Sequence, residues 1–285
     1  KESYRTKGRG GKSSLTAGTN LPNGVIVHYF LKNYDAKKDI VELQFQSNDG
    51  AVIKTYSTKD KKNKLEVKAG GNEFVWNTRY DGAEKLDGMI FWSASFSGAK
   101  AVPGSYKVRL VVNGKEHMQD FTILPDPRSE SSVADMQKQF DFVNDVNQTV
   151  DKAHKAIKNI REIRTKLKDF TKQNKTDSTA TQLVNQAKTI QDDLLEVEKT
   201  LYQTQNRSNQ DPLNFPIRLT NKLGHLNRLL TIDDFPPTNQ DIAVKEELTA
   251  AVKTAMKQYQ TIIDSDVASF NELFKKEKRN YLGTE

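Results

Sequence analysis

The pentapeptide Leu124-Pro125-Asp126-Pro127-Arg128 constrains this chain more than any other stretch. A proline cannot donate to a sheet ladder, and the residue before it is pushed away from the helical region. Two prolines in three residues therefore end a strand and delay a helix. Before this junction the apolar residues alternate; after it they recur every three or four. The period change predicts an α+β multidomain chain: an N-terminal antiparallel β-sandwich over residues 21–127, followed by an antiparallel helical bundle with long helices over 128–285.

The N-terminal half reads as short strands separated by turn signals. Val25 to Leu31 is β-branched and aromatic, and Ile40 to Gln46 alternates with Val41, Leu43 and Phe45 on one face. Asn48-Asp49-Gly50 turns into Val52 to Tyr56, with Asp-Gly expected to supply the positive φ angles of a tight turn. A charged loop, Lys59 to Lys64, precedes Glu73-Phe74-Val75-Trp76-Asn77, and Gly88 to Trp92 reads as another short strand. Pro103-Gly104 leads into Ser105 to Val112, and Asn113-Gly114 is a type I′ signal ahead of Glu116 to Leu124. Seven or eight strands at this spacing point to a sandwich.

Past the junction, Ser129, Ser131 or Ser132 can cap a helix with Asp135 in its first turn. An apolar stripe from Val133 to Phe170 predicts a rod of nearly forty residues, roughly 55–60 Å long. A second stripe, Ala180, Leu183, Ala187, Ile190, Leu194, Val197 and Leu201, alternates steps of three and four. Leu219, Leu223, Leu226 and Leu230 mark a shorter helix. Thr238 or Asn239 caps a last one, whose stripe is interrupted at Asp266 with Val267 beside it.

Composition narrows the function classes. The chain has 285 residues, no cysteine, a net charge of +7 and a hydrophobic fraction of 35%. Without cysteine there is neither a disulfide framework nor a thiolate metal site, a usage that points toward export. No run of eighteen apolar residues is available to span a membrane, and the first residues have no signal-peptide pattern. Residues 1–20 hold five Lys or Arg against one Glu in a Gly/Ser-rich run. They read as a solvated linker rather than a nucleic-acid tail.

The sequence presents no catalytic constellation, no cofactor motif and no metal spacing. The four histidines, His28, His117, His154 and His225, are scattered, and the latter two are expected on helix flanks. The pairs Asp192-Asp193 and Glu246-Glu247 fall on helix surfaces rather than facing one another across a cleft. One cluster has chemistry to offer: Trp76, Tyr80, Phe91, Trp92 and Phe96 bring five large aromatics of the sandwich within about twenty residues. Rings exposed in line would stack on sugars, and Trp76, Tyr80, Trp92 and Phe96 are the candidate glycan-binding residues; rings on alternating strands would instead fill the core.

Several segments together carry a family resemblance. They are Asn72 to Ala83, Val102-Pro103-Gly104-Ser105-Tyr106-Lys107-Val108-Arg109-Leu110, Asp126-Pro127-Arg128 and Pro212-Leu213-Asn214-Phe215-Pro216-Ile217. In this order they resemble the C-terminal region of exported bacterial proteins with sortilin-type or BNR-repeat β-propellers, often labelled glycosyl hydrolases. The Trp-Asn and Pro-Gly-Ser-Tyr segments are also similar to Ig-like modules of the flagellar hook-capping kind, which implies an Ig/fibronectin-like fold for the sandwich. The resemblance implies a propeller upstream, to which any hydrolytic activity would belong; no blade and no Asp-box repeat occurs here. The expectation is a non-catalytic interaction and scaffolding region of an exported cell-envelope protein. It would bind a protein partner or the propeller. An accessory carbohydrate-binding module that takes polysaccharide is the alternative.

Overall fold

The computed structural model describes residues 22–277. The linker expected over residues 1–20 lies outside them. The chain forms two compact units, each discontinuous in sequence. Among the described residues the first comprises 22–82 with Ser97–Asp141 and Asp234–Pro236, and the second Ala83–Phe96, Phe142–Asp233 and 237–277.

The first unit holds two antiparallel sheets. Strands β1 (Val25–Leu31) and β4 (Gly70–Trp76) pair with one another. Strands β2 (Val41–Ser47), β3 (Val52–Ser57), β5 (Gly104–Val112) and β6 (Lys115–Ile123) form a second sheet in the order β3-β2-β5-β6. Alternation places Val41, Leu43 and Phe45 of β2 on the covered face, and all three are fully buried. They share one core with Leu31, Ile53, Leu65, Trp76, Tyr106 and Val108, so both sheets contribute to it. Burying side chains of this size stabilises by about 1.5–3 kcal/mol each before entropy is counted.

Turn chemistry follows the sequence at one hairpin and departs from it at another. Asn113 and Gly114 both take positive φ, at 51° and 82°, as a type I′ turn requires. At Asp49-Gly50 only Gly50 does, at 89°. There Gly50 N donates to Ser47 O, and β2 carries a register shift between Phe45 and Gln46. Six strands form among the described residues rather than seven or eight, and Gly88 to Trp92 is not a strand.

At the junction, the Asp126 carboxylate accepts from Arg128 N at 2.9 Å, Nε at 3.0 Å and Nη2 at 2.7 Å. These bonds hold it well below the usual carboxylate range. Helix α1 (Val133–Gln173) begins on Ser132, whose Oγ accepts from Asp135 N while Asp135 Oδ2 accepts from Ser132 N. This reciprocal box satisfies two donors that a helix start leaves open.

The second unit is helical. Every member of the Ala180 to Leu201 stripe is buried, on or just before α2 (Thr181–Leu201). Helix α3 spans Leu219–Leu230. Thr238 and Asp241 form the capping box of α4 (Asn239–Thr261). A π-helical turn, Ile262–Val267, joins α4 to α5 (Ala268–Lys276). It explains the interruption at Asp266. Buried Ile262 and Phe270 are eight residues apart, one more than two α-turns allow, and the wide turn absorbs the extra residue. Phe270 and Phe274 then meet Phe170 of α1 with ring centroids 5.5 and 5.8 Å away. Between α1 and α2, Glu198 accepts from Arg161 at 2.7 Å and from Arg164 at 3.2 Å.

Candidate functional site

The aromatic cluster is divided between the two units. Trp76 has no exposed surface. Its ring stacks on Phe45 at 4.5 Å and its Nε1 donates to Arg79 O at 3.2 Å. No sugar can stack on it, which corrects the expectation for this residue; the alternating strand turned it inward. Tyr80, in the same unit, is half-buried with its ring edge-on to Phe140 at 4.8 Å. Burial pushes its phenol pKa up.

Trp92 and Phe96 belong to the helical unit, on a fourteen-residue strap, Ala83–Phe96. Neither hydrophobic periodicity nor a sheet ladder organises this strap. Polar side chains of the helices do so by gripping its backbone. Glu84 N donates to Asp151 Oδ1 at 3.2 Å and Ile90 N to Tyr202 Oη at 2.8 Å. Asn221 takes both backbone groups of Trp92: Trp92 N donates to Oδ1 at 2.7 Å, and Nδ2 donates to Trp92 O at 2.8 Å. A primary amide is the one neutral side chain that can reproduce a strand rung in this way.

Ser93 adopts φ +52°, a left-handed conformation that costs a non-glycine residue about 1–2 kcal/mol. His225 Nδ1 on Ser93 O, at 2.9 Å, and Arg228 on Ser93 Oγ hold the turn. Ser95 N donates to Gly224 O at 2.8 Å. Glycine is needed there because a Cβ on residue 224 would sit 2.6 Å from the Phe96 ring and 2.9 Å from Ala94 Cβ.

Beneath the strap, His154 is fully buried, against the expectation of a helix flank. Its ring lies 5.6 Å from Phe91 and 5.4 Å from Phe96. Nδ1 meets Glu84 O, and since a carbonyl only accepts, the proton is on Nδ1. Nε2 is buried without a partner. Burial lowers the imidazole pKa, opposed by the Glu84 bond and the Asp151 charge. His225 is half-buried and Arg161 stacks over the Tyr202 ring at 5.5 Å.

The strap thus spends Phe91 and Phe96 on internal packing and leaves Trp92, 39% exposed, as its one large ring on the surface. Asn221, Gly224, His154, His225 and Tyr202 complete the site. Sequence reasoning missed their role, since each looks like an ordinary helix residue until its distant partner is known. Asp192, Asp193, Glu246 and Glu247 are exposed. Among the described residues no group of three His, Asp or Glu side chains is placed to hold a metal, and no helix is long and apolar enough to cross a membrane.

The fold and site define an α+β protein with two antiparallel sheets followed by long helices, and a backbone strap carried by the helices. No family model and no curated protein matches the chain. Among solved structures, an extracellular fragment of EsaA from Streptococcus gallolyticus aligns at 12% identity with a TM-score of 0.15, over 94% of this chain and 57% of that one. The chain spans little more than half of that fragment, and a likeness of this size carries no argument.

Proposed function

We propose that this chain is a non-catalytic interaction region of an exported bacterial cell-envelope protein, working through protein–protein contacts. The observation that carries the reading is the helical unit's uncovered apolar side chains. Leu229 lies in the last turn of α3 and Ile232, 76% exposed, just past it, and Ile242 and Val244 lie in the first turns of α4. The two helices pack on one another. Isolated apolar residues on a surface are ordinary, whereas several on adjoining elements suit a partner.

The finer architecture we assign is an Ig/fibronectin-like sandwich with an antiparallel bundle. Sheet orders β1-β4 and β3-β2-β5-β6 support it. So does Tyr106 at the start of β5, whose hydroxyl donates to Val102 O at 2.6 Å in the manner of a tyrosine corner. The proposed parent is the propeller protein that the sequence resembles, with any hydrolytic activity in the propeller. The test is retention of envelope proteins by the immobilised chain. Replacing Leu229, Ile232, Ile242 and Val244 together by serine should abolish retention without lowering the melting temperature. Unchanged retention would overturn the reading.

A second reading, an accessory polysaccharide-binding module, is favoured by Trp92 alone, a half-exposed ring whose backbone is fixed on both sides. Binding on a glycan array that disappears in Trp92→Ala would support it.

A further inference from the structure

We propose that His154 makes the docking of the Ala83–Phe96 strap pH-sensitive: the strap is latched while this imidazole is neutral and is released when it is protonated. The latch is geometric before it is electrostatic. Neutral His154 with its proton on Nδ1 satisfies Glu84 O, and its other nitrogen faces no acceptor. A second proton on Nε2 would create a cation with an unpaired N–H in a cage made by Phe91 and Phe96. A buried cation with one N–H left unpaired is costly to hold. Releasing the strap uncovers the ring and lets water take that proton.

The surrounding charges are few and mostly committed. On α1, Asp151 favours the cation and Arg161 opposes it. Asp151 is paired with Lys155 at 2.6 Å and with Glu84 N. Its burial raises its pKa less than these partners lower it, so it stays ionised through the relevant range. From the strap come Glu84 and Lys85, the latter lying over the Phe91 ring at 5.8 Å. From the end of α2 come Glu198, held by Arg161 and Arg164, and Tyr202, whose ring is edge-on to Phe91 at 5.5 Å. From α3 comes His225, whose Nδ1 donates to Ser93 O at 2.9 Å.

The direction follows from linkage. With the strap released, His154 titrates near its ordinary value of about 6.5. With it docked, the neutral form is favoured. Above about pH 6.5 the two states bind the same number of protons and docking is undisturbed. Below it the released state takes up a proton that the docked state refuses, and release grows by up to about tenfold per pH unit.

The experiment is amide hydrogen exchange of the strap at pH 7.5 and 5.5, corrected for intrinsic rates, in the full chain and in His154→Gln. The expected result is a loss of protection at Ile90, Trp92 and Ser95 of up to about tenfold in the wild-type chain. Amides of α2 and α4 should keep theirs, and His154→Gln should show no change with pH. Equal loss in the variant, or none in the wild type, overturns the latch. Should glutamine fail to hold the strap even at pH 7.5, the wild-type imidazole decides by NMR. Titration in step with lost strap protection supports the latch, and titration near 6.5 with the strap still protected overturns it.

Discussion

Asn221 clasps the peptide of Trp92 from both sides, accepting from its N–H at 2.7 Å and donating to its carbonyl at 2.8 Å. The amide is 5% exposed. This single side chain, 129 residues further along the chain, does for the strap what a neighbouring strand does in a sheet.

Asn221→Ala should therefore cost more than two ordinary hydrogen bonds would suggest. It leaves a backbone donor and acceptor half-buried and unpaired, at about 1–3 kcal/mol each. A loss of about 2–4 kcal/mol in denaturant unfolding of the helical unit is expected, with Trp92 emission shifted to the red. Asn221→Asp keeps the acceptor and should fall between the two.

Gly224→Ala tests the close approach beside the clasp. Alanine is the better helix former by about 1 kcal/mol. The new methyl group, however, meets the Phe96 ring and Ala94 Cβ inside van der Waals distance. Overpacking of this kind costs about 1–3 kcal/mol, so net destabilisation is predicted by thermal melting. A stabilised variant would mean that the strap does not sit on α3.

Glu198 has a side chain 4% exposed and serves two arginines. Glu198→Ala removes the acceptor of both, while Arg161 and Arg164, with side chains 36% and 29% exposed, keep some access to water. A loss of about 1.5–3 kcal/mol is expected, the range for hydrogen bonds to charged groups. Glu198→Gln should recover part of it, as the calorimetric unfolding free energy would show.

The π-turn makes a paired prediction. Deleting Ser265 removes the surplus residue, so α4 and α5 merge into a regular helix with Ile262 and Phe270 still facing inward. Stability should change by less than about 1 kcal/mol, within the range of surface changes that disturb no core contact. Deleting Lys253, equally exposed, instead rotates everything after it by about 100°. It should abolish cooperative unfolding.

Tyr106 sets an alkaline limit on the sheet unit. Burial pushes its phenol up to about 12, and its hydroxyl must keep its proton to reach Val102 O. The unfolded chain ionises near pH 10, so stability is full below that value and falls as pH rises toward 12. Tyr106→Phe should weaken this dependence, leaving the smaller share of the half-buried phenols of Tyr29, Tyr56 and Tyr80, while lowering stability near neutrality by about 1 kcal/mol, the net worth of one hydrogen bond.

Much of the fold was legible because local rules and burial agreed. Val41, Leu43 and Phe45 alternate and are buried; Ala180 to Leu201 steps by threes and fours and is buried; Ser132 and Thr238 cap the helices that follow them. The strap was not legible, for a physical reason. Gly88 to Trp92 has the β-branched and aromatic content of a strand. Its backbone partners are instead single side chains, Tyr202 and Asn221, more than a hundred residues away. Periodicity records which face of an element is buried, and a segment held through its main chain has no such face. Asp266 likewise looked like a flaw in a stripe until the π-turn supplied the missing residue count. Trp76 and Trp92 lie sixteen residues apart in similar surroundings of sequence, yet one fills a core and the other emerges from a turn.

The most direct measurement is native-state hydrogen exchange in rising guanidinium, followed at Ile90, Trp92 and Ser95 alongside amides of α2, α3, β2 and β5. If Ala83–Phe96 is an integral part of the helical unit, its amides exchange by local release at low guanidinium and then join the unfolding isotherm of Leu194 and Leu223 as the denaturant rises. Exchange in step with Leu43 and Val108, or without protection at any concentration, would contradict that assignment and with it the account of Trp92 and His154 given above.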